Sequence, residues 1–343
     1  MSDFSIGVDL GGTNLRIAAV TVDGKLIEKV TLGTQVSLGR DHVLNEMCGA
    51  IRQLSEKYKG SGKMHGVGIG VPGIIHMATG RIYESPNLPG WADSPVRDEI
   101  EQRLGARVFL ENDANAAALG EKWLGAGRDV PHLAMITLGT GVGGGLVLDG
   151  AVWHGMNGMA GELGHITVDP NGPLCGCGNY GCVEAISSAT AIVRAAREAI
   201  AAGRAPGLER AAKSDPEFSS KSIYQLAIQG DEEAKRIYQR VGWALGILIA
   251  GLVNALNLNM YVIGGGVVSA WDAFSPSIFT ELRERSLVYA ATDPNPLPAG
   301  TAKGTSARVD RRTTEKTIVT RALLGSDAGL FGAARIPLVA AGA

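Results

Sequence analysis

The chain has 343 residues, of which 45% are hydrophobic, 19% charged and 5% aromatic, and its formal net charge is -2. This length suggests two domains with separate cores, and the small net charge argues against a nucleic-acid surface. No segment approaches the apolar length that spans a bilayer, and the first residues lack the basic and apolar regions of a signal peptide. We therefore expect a cytoplasmic protein with no membrane or nucleic-acid partner.

The first third of the sequence alternates between strand and helix patterns. Residues 4–9 form a short apolar run, and two more strands surround the Asp-Gly turn at Asp23. Apolar residues at helical spacing predict a helix over 42–59, and shorter helices follow at 97–104 and 114–123. Apolar runs predict strands near 65–73 and 107–113. The alternation indicates an α/β fold with a parallel or mixed sheet.

The remainder repeats this plan and then becomes helical. Residues 134–153 can be aligned with residues 5–26 so that their glycine-rich turns coincide. This internal similarity indicates that half of the fold is duplicated. Helices are predicted over 188–202, 222–228 and 231–256, and a strand leads into the glycines at 264–266. We expect loops over 203–221 and 291–316, a helix around 316–324 and a last helix in 328–335.

Three glycine-rich turns follow three apolar strands. They contain Gly11 and Gly12, Gly139 and Gly141, and Gly264 to Gly266. Such turns expose backbone N–H groups to an anion. None matches the P-loop or the dinucleotide-binding pattern. Because three turns recur, two of them in corresponding halves, a nucleotide cleft is favoured over simple strand connections. Asp9 is placed to hold a hydrated Mg²⁺, or alternatively to cap its turn.

A histidine and three cysteines are concentrated within eighteen residues, at His165, Cys175, Cys177 and Cys182. Together they make a complete tetrahedral ligand set for zinc with no position left for water, as in structural sites. The alternatives are three buried reduced thiols, or a disulfide that leaves one thiol over. Clustering beside a histidine favours zinc.

Glu111-Asn112-Asp113 ends a predicted strand and precedes a helix. A carboxylate there could act as a general base, or could cap the helix. The residues alone favour neither of these two roles for Asp113.

Four motifs, DLGGTN, ENDANAAALGE, LGTGVGGG and the histidine–cysteine stretch, together resemble the ROK family of sugar kinases and repressors. The resemblance covers nearly the whole chain, and its closest subgroup is the bacterial ROK glucokinases. It implies the two-domain sugar kinase/actin-like fold, a duplicated ribonuclease H-like architecture with a central interdomain cleft. Residues 1–115, joined by 326–343, would form the smaller domain and 116–325 the larger one. Residues 289–315 depart from the family pattern.

The resemblance also implies roles for individual residues. Asp113 matches the catalytic base. The remaining implied residues are sugar ligands (Gly73, Asn87, Asn112, Glu162, His165 and Glu184), phosphate contacts (Gly11, Gly12, Thr13, Thr140 and Gly141), the cofactor-binding Asp9 and adenosine neighbours (Gly264 and Gly265). Without the resemblance, the two glutamates would be solvated loop charges. Zinc would brace the sugar-binding side chains, with one ring nitrogen of His165 on the metal and the other toward sugar.

The resemblance thus implies an ATP- and Mg²⁺-dependent hexose kinase acting on glucose, and a homodimer. Kinases for N-acetylmannosamine, N-acetylglucosamine or fructose remain alternatives, because such sugars differ by few groups. Repressors of the family carry a DNA-binding domain ahead of the DLGGT motif, whereas eight residues precede Asp9 here. A non-catalytic sugar sensor would predict loss of Asp113 or of the phosphate turns. A zinc hydrolase would need an open ligand position.

Overall fold

The computed structural model describes residues 2–85, 88–297 and 315–342. Its strands are β1 (Phe4–Leu10), β2 (Asn14–Thr21), β3 (Leu26–Gly33), β4 (Met64–Val71), β5 (Ile74–His76), β6 (Arg81–Glu84), β7 (Val108–Asn112), β8 (Leu133–Leu138), β9 (Val142–Leu148), β10 (Ala151–Val152), β11 (Met260–Gly264) and β12 (Ile318–Arg321). Its α-helices are α1 (Arg40–Lys57), α2 (Val96–Leu104), α3 (Asp113–Trp123), α4 (Glu184–Ser187), α5 (Ala189–Ala201), α6 (Pro206–Ser214), α7 (Ser220–Ile228), α8 (Glu232–Leu256), α9 (Trp271–Arg285), α10 (Leu287–Thr292) and α11 (Ala328–Ala341).

Two sheets of the described residues share one strand order. The first runs β3-β2-β1-β4-β7 and the second β10-β9-β8-β11-β12. In each sheet, three consecutive strands form one side, and the two strands that come later in the chain form the other. The duplication predicted from the glycine turns is therefore present in the strand order of both sheets.

By its contacts, the chain divides into two compact units. Unit 1 comprises residues 1–135, 145–161 and 322–343, and unit 2 comprises residues 136–144 and 162–321. The C-terminal helix α11 thus belongs to the same unit as the N-terminal sheet.

The two faces of the first sheet pack differently, because side chains alternate along β1. Ile6 and Val8 are fully buried in one core with Val43 and Met47 of α1. On the other face, Gly7 faces α11, where an added Cβ would lie 2.4 Å from the carbonyl oxygen of Leu330. The sheet is therefore covered by large apolar side chains on one face and by helix backbone on the other.

Glycines bring the backbones of α3 and α11 into direct contact. A Cβ at Gly332 would lie 1.6 Å from the carbonyl oxygen of Ala116, and one at Gly120 would lie 2.1 Å from that of Ala328. Gly68 of β4 meets α11 in the same way, 1.9 Å from the carbonyl oxygen of Ala333. We call Gly7, Gly68, Gly120 and Gly332 the glycine seam. Since no side chain fits there, the seam fixes the position of α3.

Unit 2 is mainly helical, and α8 runs through its core. An 18-residue window of α8 has a mean hydropathy of 1.4 and is 50% buried, so by length and composition this helix could cross a membrane. The expectation that no segment approaches that length was therefore wrong. Close packing on α9 explains much of its apolar character, since a Cβ at Gly242 would lie 1.9 Å from the carbonyl oxygen of Phe274.

Two local predictions were also wrong. The expected loop at 203–221 contains α6, which begins with Pro206 at its first turn, where a missing N–H is tolerated, and buries Leu208. The helix expected around 316–324 is the strand β12, because Ile318, Val319 and Thr320 pair in parallel with β11. The helix α9 was not predicted. Of the loop expected at 291–316, residues 298–314 lie outside the described residues.

The glycine seam gives a stability prediction with a built-in control. Gly332→Ala should lower the free energy of unfolding by about 1–3 kcal/mol, because its methyl group overpacks against α3. Gly49→Ala in α1 makes the same change where no atom lies within 4 Å, and should stabilise by about 0.5–1 kcal/mol through helix propensity. Urea denaturation followed by circular dichroism measures both. Equal effects of the two substitutions would contradict close packing at the seam.

Candidate functional site

In unit 1, the parallel strands β1, β4 and β7 bring several predicted residues to one edge of the sheet. Asp9 of β1 pairs in register with Gly70 of β4, and Gly70 pairs with Glu111 of β7. The chain leaves the carboxyl ends of these strands into the first glycine turn, into Gly73 and into Asp113. Loops at this edge of an open α/β sheet are the usual place for ligand-binding residues.

The turn from β7 into α3 is held by Asn112. Its Oδ1 accepts hydrogen bonds from the N–H groups of Ala114 (2.9 Å) and Asn115 (3.2 Å), so Asn112 is the helix N-cap. Its Nδ2 donates to the carbonyl oxygen of Gly73 at 3.2 Å. Asp113 is the first helical residue, and its Oδ1 accepts from the Ala114 N–H at 2.9 Å. The capping role considered for Asp113 thus belongs to Asn112.

A buried carboxylate lies directly behind this turn. Glu111 is 3% exposed, and its Oε1 accepts from the Asn112 N–H (3.0 Å) and from Nδ2 of Asn115 (3.1 Å). Its Oε2 is 2.7 Å from Nε2 of His154. The hydrogen bond from this carboxylate raises the pKa of His154 above its ordinary value, although burial opposes the rise.

The first glycine turn is tied to the end of β3. The Gly11 N–H donates to the carbonyl oxygen of Asn14, and the Thr34 hydroxyl donates to the carbonyl oxygen of Gly11 at 2.6 Å. The side chain of Thr13 is exposed. Within the described ranges, no hydrogen bond is recorded for the N–H groups of Gly12 and Thr13. These two groups are therefore available to an anion.

Asp9 pairs with an arginine that the sequence reading did not single out. Nη1 of Arg16 donates to Asp9 Oδ2 at 2.8 Å, and the two residues are cross-strand partners in the register of β1 and β2. Burial raises the pKa of Asp9 above its usual value, and Arg16 opposes that rise. Strand alternation alone could have identified this partner, because both residues face the same side of the sheet.

In unit 2, the second and third glycine turns lie together. Gly265 has a left-handed φ of 87°, and a Cβ there would lie 2.4 Å from the carbonyl oxygen of Leu138, where the second turn begins. The start of α5 secures the second turn, since the Thr190 hydroxyl donates to the carbonyl oxygen of Thr140 at 2.8 Å. Thr140 is exposed, so its hydroxyl remains accessible for a phosphate contact.

Glu184 connects the second turn to the cysteines. Its Oε2 accepts from the Val142 N–H at 2.9 Å, and its Oε1 lies 3.6 Å from Sγ of Cys175. A Cβ at Gly141 would lie 2.4 Å from Glu184 Oε2, so the carboxylate occupies the space that a side chain at this position would need. Glu184 is therefore a fixed carboxylate and not a solvated loop charge.

The four predicted metal ligands form one cluster in unit 2. The ligand atoms of His165, Cys175, Cys177 and Cys182 all lie within 4.8 Å of one another. Sγ of Cys177 is 3.7 Å from Sγ of Cys182, and Sγ of Cys175 is 3.6 Å from Nδ1 of His165. Tetrahedral zinc, with bonds of about 2.3 Å to sulfur and about 2.0 Å to nitrogen, requires an S···S separation of about 3.8 Å and an S···N separation of about 3.5 Å. The geometry is consistent with a structural zinc site.

The thiol chemistry also fits a cation. Burial raises the pKa of Cys175 to about 12 and raises the pKa of Cys182, whereas the hydrogen bond from the Asn179 N–H lowers the pKa of Cys177. Without a positive charge, three adjacent thiols would therefore not all ionise near neutral pH. A bound metal supplies that charge and displaces the protons.

Backbone turns shape this metal loop. Gly181 has a φ of 64°, and a Cβ there would lie 1.5 Å from the carbonyl oxygen of Asp169, so no other residue fits. Arg240 of α8 donates to Asp169 Oδ2, and its guanidinium lies 3.6 Å from the ring centroid of Trp243. The loop is thus anchored to the core helix of unit 2.

The two ring nitrogens of His165 point to different partners. Nδ1 faces the sulfur atoms, while Nε2 lies 3.9 Å from Oε2 of Glu162. The side chain of Glu162 is 50% exposed. This arrangement leaves one nitrogen for a metal and the other, beside Glu162, for a polar ligand.

Taken together, the structure brings most predicted residues into two groups. Unit 1 contains the group around Asp9, Gly73, Asn112 and Asp113, and unit 2 contains the group around Thr140, Gly265, Glu184 and the metal ligands. Asn87 lies outside the described residues. Arg16, Glu111 and His154 were missed as site residues. A charged residue within the apolar run of β7 was the signal that could have identified Glu111, since a buried charge needs partners.

The family model of the ROK family matches residues 5–309. The chain therefore belongs to the ROK family, and the resemblance inferred from its motifs is confirmed.

Individual relatives agree with this assignment. A glucokinase of Thermotoga maritima is 42% identical over 83% of this chain and 87% of its own length. A glucokinase of Halalkalibacterium halodurans is 38% identical over 97% of this chain and 94% of its own length. A crystal structure of a ROK glucokinase from Streptomyces griseus, in complex with glucose and AMPPNP, has a TM-score of 0.73 at 30% identity and covers 97% of this chain and 98% of that chain. The predicted sugar-kinase fold class is confirmed.

The metal cluster predicts a metal content that depends on each thiol. The purified protein should contain about one metal ion per chain, and Cys177→Ser should lose most of it, because a tetrahedral set with three ligands is incomplete. Cys48→Ala removes a buried thiol of α1 that is outside the cluster, and should retain the metal. Plasma mass spectrometry after gel filtration measures the content. Metal-free wild type, or full retention in Cys177→Ser, would contradict the assignment.

The Glu111–His154 pair predicts a pH-dependent contribution to stability. The raised pKa of His154 means that its imidazole binds a proton more tightly in the folded protein than in the unfolded chain. The pair's contribution to the free energy of unfolding is therefore complete below the pKa that His154 has in the unfolded chain. It is lost as pH rises through the higher pKa that His154 has in the folded protein. The difference in unfolding free energy between wild type and His154→Gln should be larger at about pH 5.5 than at about pH 8.5. A difference that grows with pH would contradict this sign.

Proposed function

We propose that the protein transfers a phosphoryl group from ATP to a hexose, glucose being the preferred acceptor and its 6-hydroxyl the nucleophile. The observation that carries the proposal is the similarity to two curated glucokinases over most of the chain. The same similarity confirms the predicted class of ATP-dependent sugar kinases. The Streptomyces griseus relative was crystallised with glucose and AMPPNP, which supports this substrate pair.

In this proposal, Asp113 is the general base. Phosphoryl transfer to a hydroxyl needs an acceptor for the proton that the nucleophile loses. Asp113 begins α3 at the carboxyl edge of the first sheet, where the N-cap Asn112 and the seam behind α3 restrict its position. A carboxylate held in this way needs little reorganisation to accept the proton.

The sugar ligands proposed from the family are Gly73, Asn87, Asn112, Glu162, His165 and Glu184. Each hexose hydroxyl can donate and accept, so carboxylates, an imidazole and an amide are suitable partners. The hydrogen bond from Asn112 to Gly73 supports a common role for these two residues. In unit 2, Glu162 lies beside the ring nitrogen of His165 that faces away from the sulfur atoms.

The nucleotide contacts are proposed to be Gly11, Gly12 and Thr13 in the first turn, Thr140 and Gly141 in the second, and Gly264 and Gly265 in the third. Free N–H groups and exposed threonine hydroxyls suit phosphate oxygens. Asp9 keeps Oδ1 without a hydrogen-bond partner among the described residues, and we propose that this oxygen holds the hydration shell of Mg²⁺. Magnesium, when bound, would neutralise charge on the phosphates.

We propose zinc as the occupant of the metal cluster. Three thiolates and one imidazole favour zinc over harder cations, and the closed set favours a structural role. When bound, zinc fixes the metal loop. Nδ1 of His165 faces the cluster, and Glu162 and Glu184 flank it, so a fixed loop would position these proposed sugar ligands. A zinc hydrolase is disfavoured because no ligand position is left open.

Other assignments remain proposals. N-acetylmannosamine, N-acetylglucosamine and fructose are the alternative acceptors. A non-catalytic sensor is disfavoured, because Asp113 and the glycine turns are all present. We further propose a homodimer, which sedimentation velocity tests, a cytoplasmic location without nucleic-acid partners, and functional domains at 1–115 with 326–343 and at 116–325.

The direct test is a coupled ADP-release assay with five sugars: glucose, mannose, fructose, N-acetylglucosamine and N-acetylmannosamine. Glucose should give the highest kcat/KM. Asp113→Asn is the matched variant, because an amide retains the oxygen that accepts from Ala114 but is not a base. Its kcat should fall by about 10²- to 10⁴-fold, while calorimetry should still detect sugar binding.

Three outcomes would contradict the proposal. Absence of sugar-dependent ADP release would exclude the kinase function. Preference for an N-acetylated sugar or fructose would contradict glucose as the acceptor, although the reaction would still be phosphoryl transfer to a sugar. Normal turnover in Asp113→Asn would overturn the assignment of the base.

A further inference from the structure

The Glu111 carboxylate is placed to act on the catalytic turn from behind. It is almost fully buried, yet it satisfies three donors: one backbone N–H, one side-chain amide and one imidazole. A carboxylate removed from water is tolerated when such donors replace its hydration. Among the three, His154 is the donor that can carry a positive charge.

Two of these hydrogen bonds fix the geometry of the turn into α3. Oε1 holds the Asn112 N–H at 3.0 Å and Nδ2 of Asn115 at 3.1 Å. Asp113 lies between these two residues in the chain. A single carboxylate oxygen thus holds the backbone just before Asp113 and the side-chain amide of Asn115 just after it, in addition to the cap made by Asn112.

The third hydrogen bond connects this carboxylate to the loop that follows β10. The carbonyl oxygen of His154 accepts the N–H groups of Gly158 (3.1 Å) and Ala160 (3.2 Å), so the histidine is itself fixed by its loop. Gly158 packs against the hairpin of β5 and β6, where a Cβ would lie 2.9 Å from the carbonyl oxygen of Ile75. The imidazole is therefore presented to Glu111 by an anchored backbone.

From these contacts we propose that Glu111 and His154 form a positioning pair for phosphoryl transfer, in which the imidazole holds the carboxylate and the carboxylate holds Asn112 and Asp113. This inference rests on the proposed function. Neither residue touches the reacting atoms; both act through the turn. The pair differs from an isolated ion pair because Glu111 uses its other oxygen, Oε1, to bind the backbone N–H of Asn112, the residue before the proposed base.

The test compares three substitutions at histidines, with kcat and both KM values as readouts. His154→Phe removes the donor and should lower kcat by about 10- to 100-fold, since misplacement of a catalytic group by about 1 Å costs up to that much. The KM for ATP should stay within about 2-fold, because the change acts on the base and not on nucleotide binding. His154→Gln keeps an N–H donor and should recover most of kcat.

His42→Phe is the matched control. His42 lies on α1, and its Nε2 pairs with Oε1 of Gln35, outside the network around Glu111. It should leave kcat unchanged. If His154→Phe does not fold, His154→Asn, whose shorter amide cannot reach Glu111, carries the same expected loss. Metal content and urea unfolding followed by circular dichroism report whether each variant is folded.

A double-mutant cycle with Asp113→Asn separates positioning from general destabilisation. If the pair acts through Asp113, His154→Phe should reduce the residual rate of Asp113→Asn by less than about 3-fold. Full additivity of the two losses would overturn the proposal, as would a normal kcat in His154→Phe. A wild type without sugar-dependent ADP release would instead refute the proposed function, and with it this inference.

Discussion

The close contact between the backbones of α3 and α11 is the constraint on which the unit 1 site depends. Gly120 and Gly332 let the two helices touch without intervening side chains, and Gly7 and Gly68 let α11 lie directly on the sheet. A methyl group at any of these positions would push a helix outward by a fraction of its diameter. Because Asp113 is the first residue of α3, such a shift would move the proposed base relative to the ends of β1 and β4.

Three carboxylates at the two groups of site residues are held by specific donors. Asp9 pairs with Arg16, Glu111 with His154 and the Asn112 N–H, and Glu184 with the Val142 N–H. Glu184 makes a second contact, because its other oxygen lies against Sγ of Cys175 in the metal cluster. A metal at that cluster would therefore affect both a proposed sugar ligand and the glycine turn proposed to bind phosphate. The metal loop and the second turn are one packed structure within unit 2.

Local features of the fold could be predicted from the sequence, and long-range ones could not. Helix α1 and strands β1 to β4 follow from periodicity, and the metal cluster follows from ligand types and spacing. Strand β12 was mistaken for a helix because its pairing with β11, more than fifty residues earlier, determines its conformation. The capping residue of α3 was also ambiguous, because adjacent Asn and Asp side chains can both serve, and the helix start differs by one residue between them.

Partners of the site residues were harder to predict than the residues themselves. The chemistry of Asp113, the glycine turns and the cysteines is carried by residue types that sequence reading recognises. Arg16 and His154 contribute through contacts that depend on strand register and on the path of a loop. Such supporting residues have no characteristic spacing, so the three-dimensional structure was needed to find them.

The central claim, that this chain transfers phosphate from ATP to a hexose hydroxyl, is tested most directly by identifying the product. Phosphorus-31 nuclear magnetic resonance of a reaction with ATP, Mg²⁺ and carbon-13-labelled glucose should show a sugar monoester whose carbon coupling assigns it to the 6-position. Unchanged ATP, or release of inorganic phosphate without a sugar ester, would contradict the account.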